Sequence, residues 1–294
     1  LVDIHSHVAG AFSVSAVQVS AGPAGVDDFG IDEWFVVVLA RTIADRETVF
    51  HGFGSPCAQV AMHLARRTHA PHMLLVEGAT YALNPTPAFI PPTGNDLSLQ
   101  AGSVYQLRFE EFFDAAARGD VDRMFLSGGQ IDAYGNTNVT AIGRRGQPPK
   151  VKLGGGGGGC NLSATIRALT LWTTRHRTGR TLVESCDFIT DMGHSALTGR
   201  RSGVGGGPQL LVTELGVFDF DEAGHARLVG MFADVDLDCV AAATGFPLRV
   251  SEDVATVLPP TRTEVELVRR IDPLGVRRME FGSTELARRF HHRD

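Results

Sequence analysis

Six consecutive glycines, Gly154 to Gly159, are the tightest constraint on what this chain can fold into. Without a Cβ the backbone there can reach positive φ and lie directly against a ligand, its N–H groups serving as donors for a negative oxygen. The same freedom costs roughly 1 kcal/mol per residue relative to alanine inside regular structure, which makes a helix or strand through the run a poor choice. Two readings remain: a flexible linker between domains, or a turn that presents donors to an anion. The run follows Pro148-Pro149-Lys150-Val151-Lys152-Leu153 and is closed by Cys160 and Asn161. Beyond it, Asn161-Leu162-Ser163-Ala164-Thr165-Ile166-Arg167-Ala168-Leu169 reads as the opening of an amphipathic helix, which favours a strand-to-helix turn.

The 294 residues allow one large or two small domains, and the formal charge of −6 without a sustained basic run argues against nucleic acid as the partner. The pairs Arg144-Arg145, Arg200-Arg201 and Arg288-Arg289 read as solvated surface features, and Lys150 and Lys152 are the only lysines. Cys57, Cys160, Cys186 and Cys239 form no C-x-x-C, so neither a zinc site nor a disulfide framework is indicated, and reduced cytoplasm is the expected location. No apolar stretch reaches the roughly 18 residues of a membrane span, and the first residues show no secretory pattern. No histidine, His194 and His225 included, has metal-ligand spacing. Asp3-Ile4-His5-Ser6-His7 resembles the H-x-H ligands of amidohydrolases but lacks later supporting ligands, so no metal is expected.

Residues 1–30, rich in Ala, Val, Ser and Gly without a sustained period, read as a peripheral extension to a single domain over 31–294. Asp32-Glu33 can open a helix with Trp34, Phe35, Val38, Leu39 and Ile43 on its apolar face, although the three valines also allow a strand. Thr48 to Phe50, the turn Gly52-Phe53-Gly54-Ser55-Pro56, a helix over Ala58 to Arg66 and a strand over Met73 to Val76 make a β-α-β unit, which implies a parallel sheet. Leu107, Phe109, Phe112, Phe113 and Ala116 mark one helix face, followed by a strand over Arg123 to Leu126. Further strands are expected over Leu182 to Ile189, over Gln209 to Thr213, and at Val217-Phe218 in a hairpin with Arg227 to Val229, while Gly203 and Gly205 to Gly207 read as a surface loop. The alternation predicts an α/β fold built on an open, mostly parallel sheet with helices on both faces.

In open α/β sheets ligands collect at the carboxyl ends of parallel strands, and three segments sit at such ends: Glu77-Gly78, Ser127 to Asn138, and Gly154 to Asn161. Glu77 follows the apolar run Met73-Leu74-Leu75-Val76, where a charge needs a reason to sit so near the core, and partial desolvation there would sharpen it as a nucleophile. Gln130 and Asn138 can meet a ligand or serve as buried amides satisfying turn backbone. Tyr134-Gly135-Asn136 reads as a turn, and Gly52, Gly54 and Ser55 either line a pocket or open a helix. Cys160 has no neighbour to act as its base and reads as a small buried residue.

Ser127-Gly128-Gly129-Gln130-Ile131-Asp132-Ala133-Tyr134-Gly135-Asn136-Thr137-Asn138, then Ile142-Gly143, then the glycine run ending in Cys160-Asn161, resembles the class I coenzyme A transferases, in their β subunit of the glutaconate CoA-transferase type. The likeness continues through Gly207-Pro208-Gln209-Leu210-Leu211-Val212-Thr213, Gly216-Val217-Phe218, Thr244-Gly245-Phe246 and Arg270-Ile271-Asp272-Pro273, and spans roughly residues 32–280. In that family a glutamate in a Val-Glu-Ser-Gly setting is the nucleophile. Val76-Glu77-Gly78-Ala79 falls at the matching place with the serine and glycine shifted. The resemblance implies catalysis by Glu77 through a mixed anhydride and a glutamyl-CoA thioester. It also implies an oxyanion and thioester loop at Gly156, Gly157, Gly158, Gly159 and Asn161, and substrate or CoA contacts from Gly54, Gln130 and Asn138. Coenzyme A thioester enters as substrate, with no permanently bound cofactor and no metal. A separate α subunit is implied, in an α2β2 or higher hetero-oligomer, because relatives divide the site between two chains. The expected activity is CoA transfer between carboxylic acids. The alternatives are a CoA-thioester or ring-cleaving hydrolase on the same fold, and a noncatalytic stabilising subunit.

Overall fold

The apolar runs expected as strands, apart from Leu182 to Ile189, lie side by side in one ten-stranded sheet. In order across it run Arg249–Thr256, Ala226–Met231, Gly216–Phe220, Pro208–Thr213, Ala168–Thr173, Arg123–Ser127, Thr48–His51, Leu74–Val76, Ala82–Leu83 and Tyr105–Gln106. The five central strands, from Pro208–Thr213 to Leu74–Val76, are mutually parallel; antiparallel strands extend both sides, and Arg249–Thr256 joins one edge parallel to Ala226–Met231. The computed structural model describes residues 28–94, 96–144, 146–194 and 205–290. His5, His7 and the rest of residues 1–27, together with Arg145, Arg200, Arg201 and Gly203, lie outside that description.

Alternation along the central strands sends side chains to two cores. On one face Val49, Leu75, Phe125, Trp172 and Val212 pack under the helices Ile31–Arg41, Pro56–Arg67 and Arg262–Ile271. On the other, Phe50, Val76, Met124, Leu126, Leu171 and Leu211 pack under the helices Phe109–Arg118, Gly159–Thr165 and Leu237–Ala243. A sheet buried on both faces explains why its inner strands read as unbroken apolar runs.

The ambiguous segment after Asp32 is a helix, Ile31–Arg41, buried on all sides, with Glu33 accepting the Gly30 N–H at 2.8 Å. Phe29 and Gly30, assigned from sequence to the extension, pair with Phe290 and Arg289, and Phe29 is buried, so the packed unit includes them. The helix after the glycines stops at Thr165, and Ala168–Thr173 is a central strand, buried throughout, that the helical reading concealed. Leu182 to Ile189 forms no strand. Leu182 makes one bridge with Ile131, and Asp187 spends its N–H on the Gln130 side chain, so no partner strand lies alongside. Gly205 to Gly207 do not form an open surface loop: Cβ atoms at Gly205 and Gly206 would press on the backbone oxygens of Ala164 and Arg167, and Gly205 and Gly207 are buried.

Candidate active site

Three parallel strands, Thr48–His51, Leu74–Val76 and Arg123–Ser127, end on one side of the sheet, where a cavity of about 980 Å³ opens. Its walls are Gly52, Phe53 and Ser55 after the first strand, Gly78 and Ala79 after the second, Ser127 at the end of the third, and the whole run Gly154 to Gly159 with Asn161. The glycine run therefore faces the strand ends across a ligand-sized space. Gly155 and Gly157 hold positive φ of 92° and 51°. Gly155 donates to Val139 and Gly159 to Gly156, each at 2.7 Å, so the Gly159 donor expected for an oxyanion is already committed within the loop.

Glu77 stands at the end of Leu74–Val76 but not on the cavity surface. It is 1% exposed, beneath a tight turn closed by the Tyr81 N–H on the Glu77 carbonyl at 2.9 Å. Its Oε2 accepts from the backbone N–H groups of Ala79 and Thr80 at 2.9 and 2.7 Å and from Thr80 Oγ1 at 2.8 Å, while Gln59 Nε2 donates to Oε1 at 3.2 Å. Burial pushes the carboxyl pKa up, yet the Thr80 backbone and hydroxyl donors oppose it, and Glu77 stays below the usual carboxylate range. Desolvation alone would sharpen a carboxylate as a nucleophile; here both oxygens are engaged by donors, which stabilises the anion and lowers its reactivity.

His51 clamps that turn from the neighbouring strand. The Gly78 N–H donates to its Nε2 at 3.1 Å and its Nδ1 meets the Gly52 carbonyl at 3.0 Å, which places the proton on Nδ1. With Nε2 accepting, the 3.5 Å separation from Glu77 Oε1 is a close approach and not a donated hydrogen bond. A Cβ at Gly78 would lie 2.4 Å from the His51 carbonyl oxygen and 2.9 Å from its ring, so glycine is required by close approach.

Of the supporting residues, Gly54 (φ 68°) lies between lining residues without lining the cavity itself. Gln130 and Asn138 are buried in the Gln130–Ile131 and Thr137–Asn138 hairpin. Asn138 Nδ2 donates to Gln130 Oε1 at 2.7 Å and to the Ala141 carbonyl, its Oδ1 accepts from Thr140 and Ala141, and Gln130 Nε2 reaches Asp187. Both amides are thus occupied in shaping the hairpin, away from the cavity. Tyr134-Gly135-Asn136 is a turn capped by Asp132, as its composition predicts. Cys160 is exposed, not buried, because it lies on the outer side of the short helix.

Sequence reasoning missed several lining groups. Phe109 and Phe113, read as part of one helix face, turn toward the cavity while Phe112 and Ala116 take the core. Asp191 also lines it, buried and accepting from Thr137 Oγ1 at 2.6 Å, with its other oxygen unpartnered among the described residues. Burial raises its pKa and the Thr137 bond opposes that. A carboxylate directly after Phe188-Ile189-Thr190 was the available signal. Among the described residues no group of His, Cys, Asp and Glu has the arrangement of a metal site, and no helix is long and apolar enough to cross a membrane.

No family model matches the chain. It is 28% identical over 250 residues to the β-type chain of 3-oxoadipate CoA-transferase from Pseudomonas knackmussii, covering 83% of this chain and 94% of that protein. It is 29% identical over 254 residues to the β-type chain of glutaconate CoA-transferase from Acidaminococcus fermentans, covering 82% and 92%. The fold matches the decarboxylase AibA/AibB with a TM-score of 0.75 at 31% identity, over 86% of this chain and 99% of that one. A glutamate at the end of a central parallel strand, a cavity beyond its turn walled by the glycine run, and relatives matched over nearly their whole length lead to one assignment: the chain belongs to the class I coenzyme A transferase family, as a β-type subunit.

Proposed function

We propose that this chain is the catalytic β subunit of a heteromeric acyl-CoA:carboxylate CoA-transferase and that Glu77 carries CoA between the two acids. The observation that supports this reading is the placement of Glu77 directly behind Gly78 and Ala79, which share one cavity with Gly154 to Gly159. In the first half reaction a Glu77 oxygen attacks the thioester carbonyl, the C–S bond breaks, and CoA thiolate leaves a mixed anhydride. The thiolate then attacks the Glu77 acyl carbon, the first acid departs as carboxylate, and a glutamyl-CoA thioester remains. A second carboxylate reverses these steps, so the thioester bond is conserved. Backbone donors near Gly157 and Gly158 are suited to the oxyanion, an interaction worth about 2.7 to 4 kcal/mol per donor in other enzymes. The glycines also let the thioester approach without steric clash, and closing the cavity against water keeps the anhydride from hydrolysing.

The Gly78–Thr80 turn must open for Glu77 to attack. Tyr81, whose N–H closes the turn, holds a left-handed φ of 53°, a conformation costing on the order of 1 kcal/mol for such a residue. An α-type partner subunit is expected to complete the cavity. The test is borohydride treatment of the reconstituted complex in the presence of acyl-CoA. Reduction of a Glu77 thioester should inactivate it with a mass change on the Glu77 peptide, and Glu77→Gln should lower kcat on the order of a thousandfold or more. An unlabelled Glu77 peptide in a fully active complex would remove the covalent mechanism. The engaged state of the carboxylate is the one observation favouring a second reading, thioester hydrolysis on the same fold; free CoA as product, with none on the added acid, would establish it.

A further inference from the structure

Resting on the transferase reading, we infer that the acyl group accepted here is bulky and apolar, an aryl or alicyclic acid without a second carboxylate. The cavity carries an aromatic wall that begins beside Glu77. Phe50 is the register partner of Val76, and its ring lies 6.2 Å from that of Tyr81 with 5° between the planes. Tyr81 meets Phe109 edge-on at 5.9 Å, and Phe109 lies 4.4 Å from Phe113. Phe113 in turn packs on the glycine run, where a Cβ at Gly158 would fall 2.3 Å from its Cζ. The wall therefore runs unbroken from the strand that carries Glu77 to the glycine loop, bounding the space where the carbonyl substituent must sit. Phe109 is 56% exposed and Phe53, on the Gly52–Ser55 turn, 64% exposed, leaving broad apolar surface open toward the cavity for a substrate to cover.

The charge of the cavity points the same way. No Lys, Arg or His is among its described lining residues, and its one carboxyl is Asp191. Arg175 and Arg180 line a separate cavity of about 620 Å³ beside Gly128 and Gly129. A distal substrate carboxylate would therefore be desolvated against phenyl rings with no counter-charge among the described lining residues and an acidic side chain nearby. The adenine of CoA does not compete for the wall at Phe50 and Tyr81, because the pantetheine arm holds it many bonds away from the reacting thioester.

The test uses the complex with its partner subunit and four thioesters: phenylacetyl-, cyclohexanecarbonyl-, acetyl- and glutaryl-CoA. Kd and kcat/KM are measured separately. The expected result is at least tenfold preference for the two ring-bearing thioesters over glutaryl-CoA in both. Phe109→Arg should reduce that preference at least tenfold, partly by strengthening glutaryl-CoA, while Phe109→Leu keeps it. Phe109 is exposed, and thermal unfolding verifies that both variants fold. Equal or better use of glutaryl-CoA overturns the inference, as does a Phe109→Arg effect equal for all thioesters and free CoA, which would make the wall a contact for the CoA arm. Ring-selective Kd without CoA transfer would uphold the acyl-group inference and sink the transferase reading; efficient transfer with glutaryl-CoA preferred would do the reverse.

Discussion

Gly158 is where the glycine run meets the aromatic wall, and its constraint is steric. Its φ of −87° suits any L residue, so alanine would be tolerated by the backbone, but the new Cβ would press on the Phe113 ring. Gly158→Ala should displace Phe113 into the cavity and lower kcat/KM about tenfold with only a small change in melting temperature. Adding Phe113→Leu should recover part of the loss, because the shorter side chain vacates the contact; steady-state kinetics on the single and double variants reads the coupling. Glu77, its strand and the glycine run were all legible in the chain as carboxylate, apolar run and composition. The surroundings of Glu77 were not, because Gln59, on the helix Pro56–Arg67, and His51, on the neighbouring strand, belong to other elements and reach it only when those elements pack together.

Among the elements, the helix Ile31–Arg41 shows what periodicity leaves open. Its apolar face was readable, but Asp32 and Glu33 are buried as well. Arg277, from the helical turn Val276–Glu280, accounts for this with Asp32 at 2.9 Å, Asp272 at 2.9 Å and Glu33 at 3.5 Å, while Arg269 and Arg278 reach the same carboxylates from the rim. Arg277→Met would leave Asp32 and Asp272 buried without their shared cation, and should cost about 3 to 5 kcal/mol of unfolding free energy in urea titrations. Ala168–Thr173 shows the converse. Its six residues follow seven helical ones after only Ile166 and Arg167, so a window spanning both blends two periods, and its strand character emerges only between Arg123–Ser127 and Pro208–Thr213.

At the scale of the whole molecule, two buried imidazoles contribute a loss of stability in acid. Burial pushes His63 down to about 3, with Arg67, His51 and Arg66 adding to the shift and Glu77 opposing it; burial likewise pushes His176 to about 3, helped by Arg177. Both protonate near 6.5 in the unfolded chain, so below that pH the unfolded state binds more protons. Their contribution to stability is therefore complete above about pH 6.5 and is lost as pH falls, by about 1.4 kcal/mol per pH unit for each group. Chemical denaturation between about pH 7 and 4 should show that slope, and His63→Phe should reduce it by one group's share. The sequence by itself determined an α/β chain with a glutamate and six glycines at strand ends, since local apolar runs, turn residues and missing Cβ atoms are properties of short segments. What only the tertiary structure decided is that the glycine run walls a cavity, has Phe109, Phe113 and Asp191 as its neighbours there, and lies across from a carboxylate folded under its own turn. Those outcomes depend on which distant segments share the carboxyl edge of the sheet, and that information is carried by packing between elements far apart in the chain.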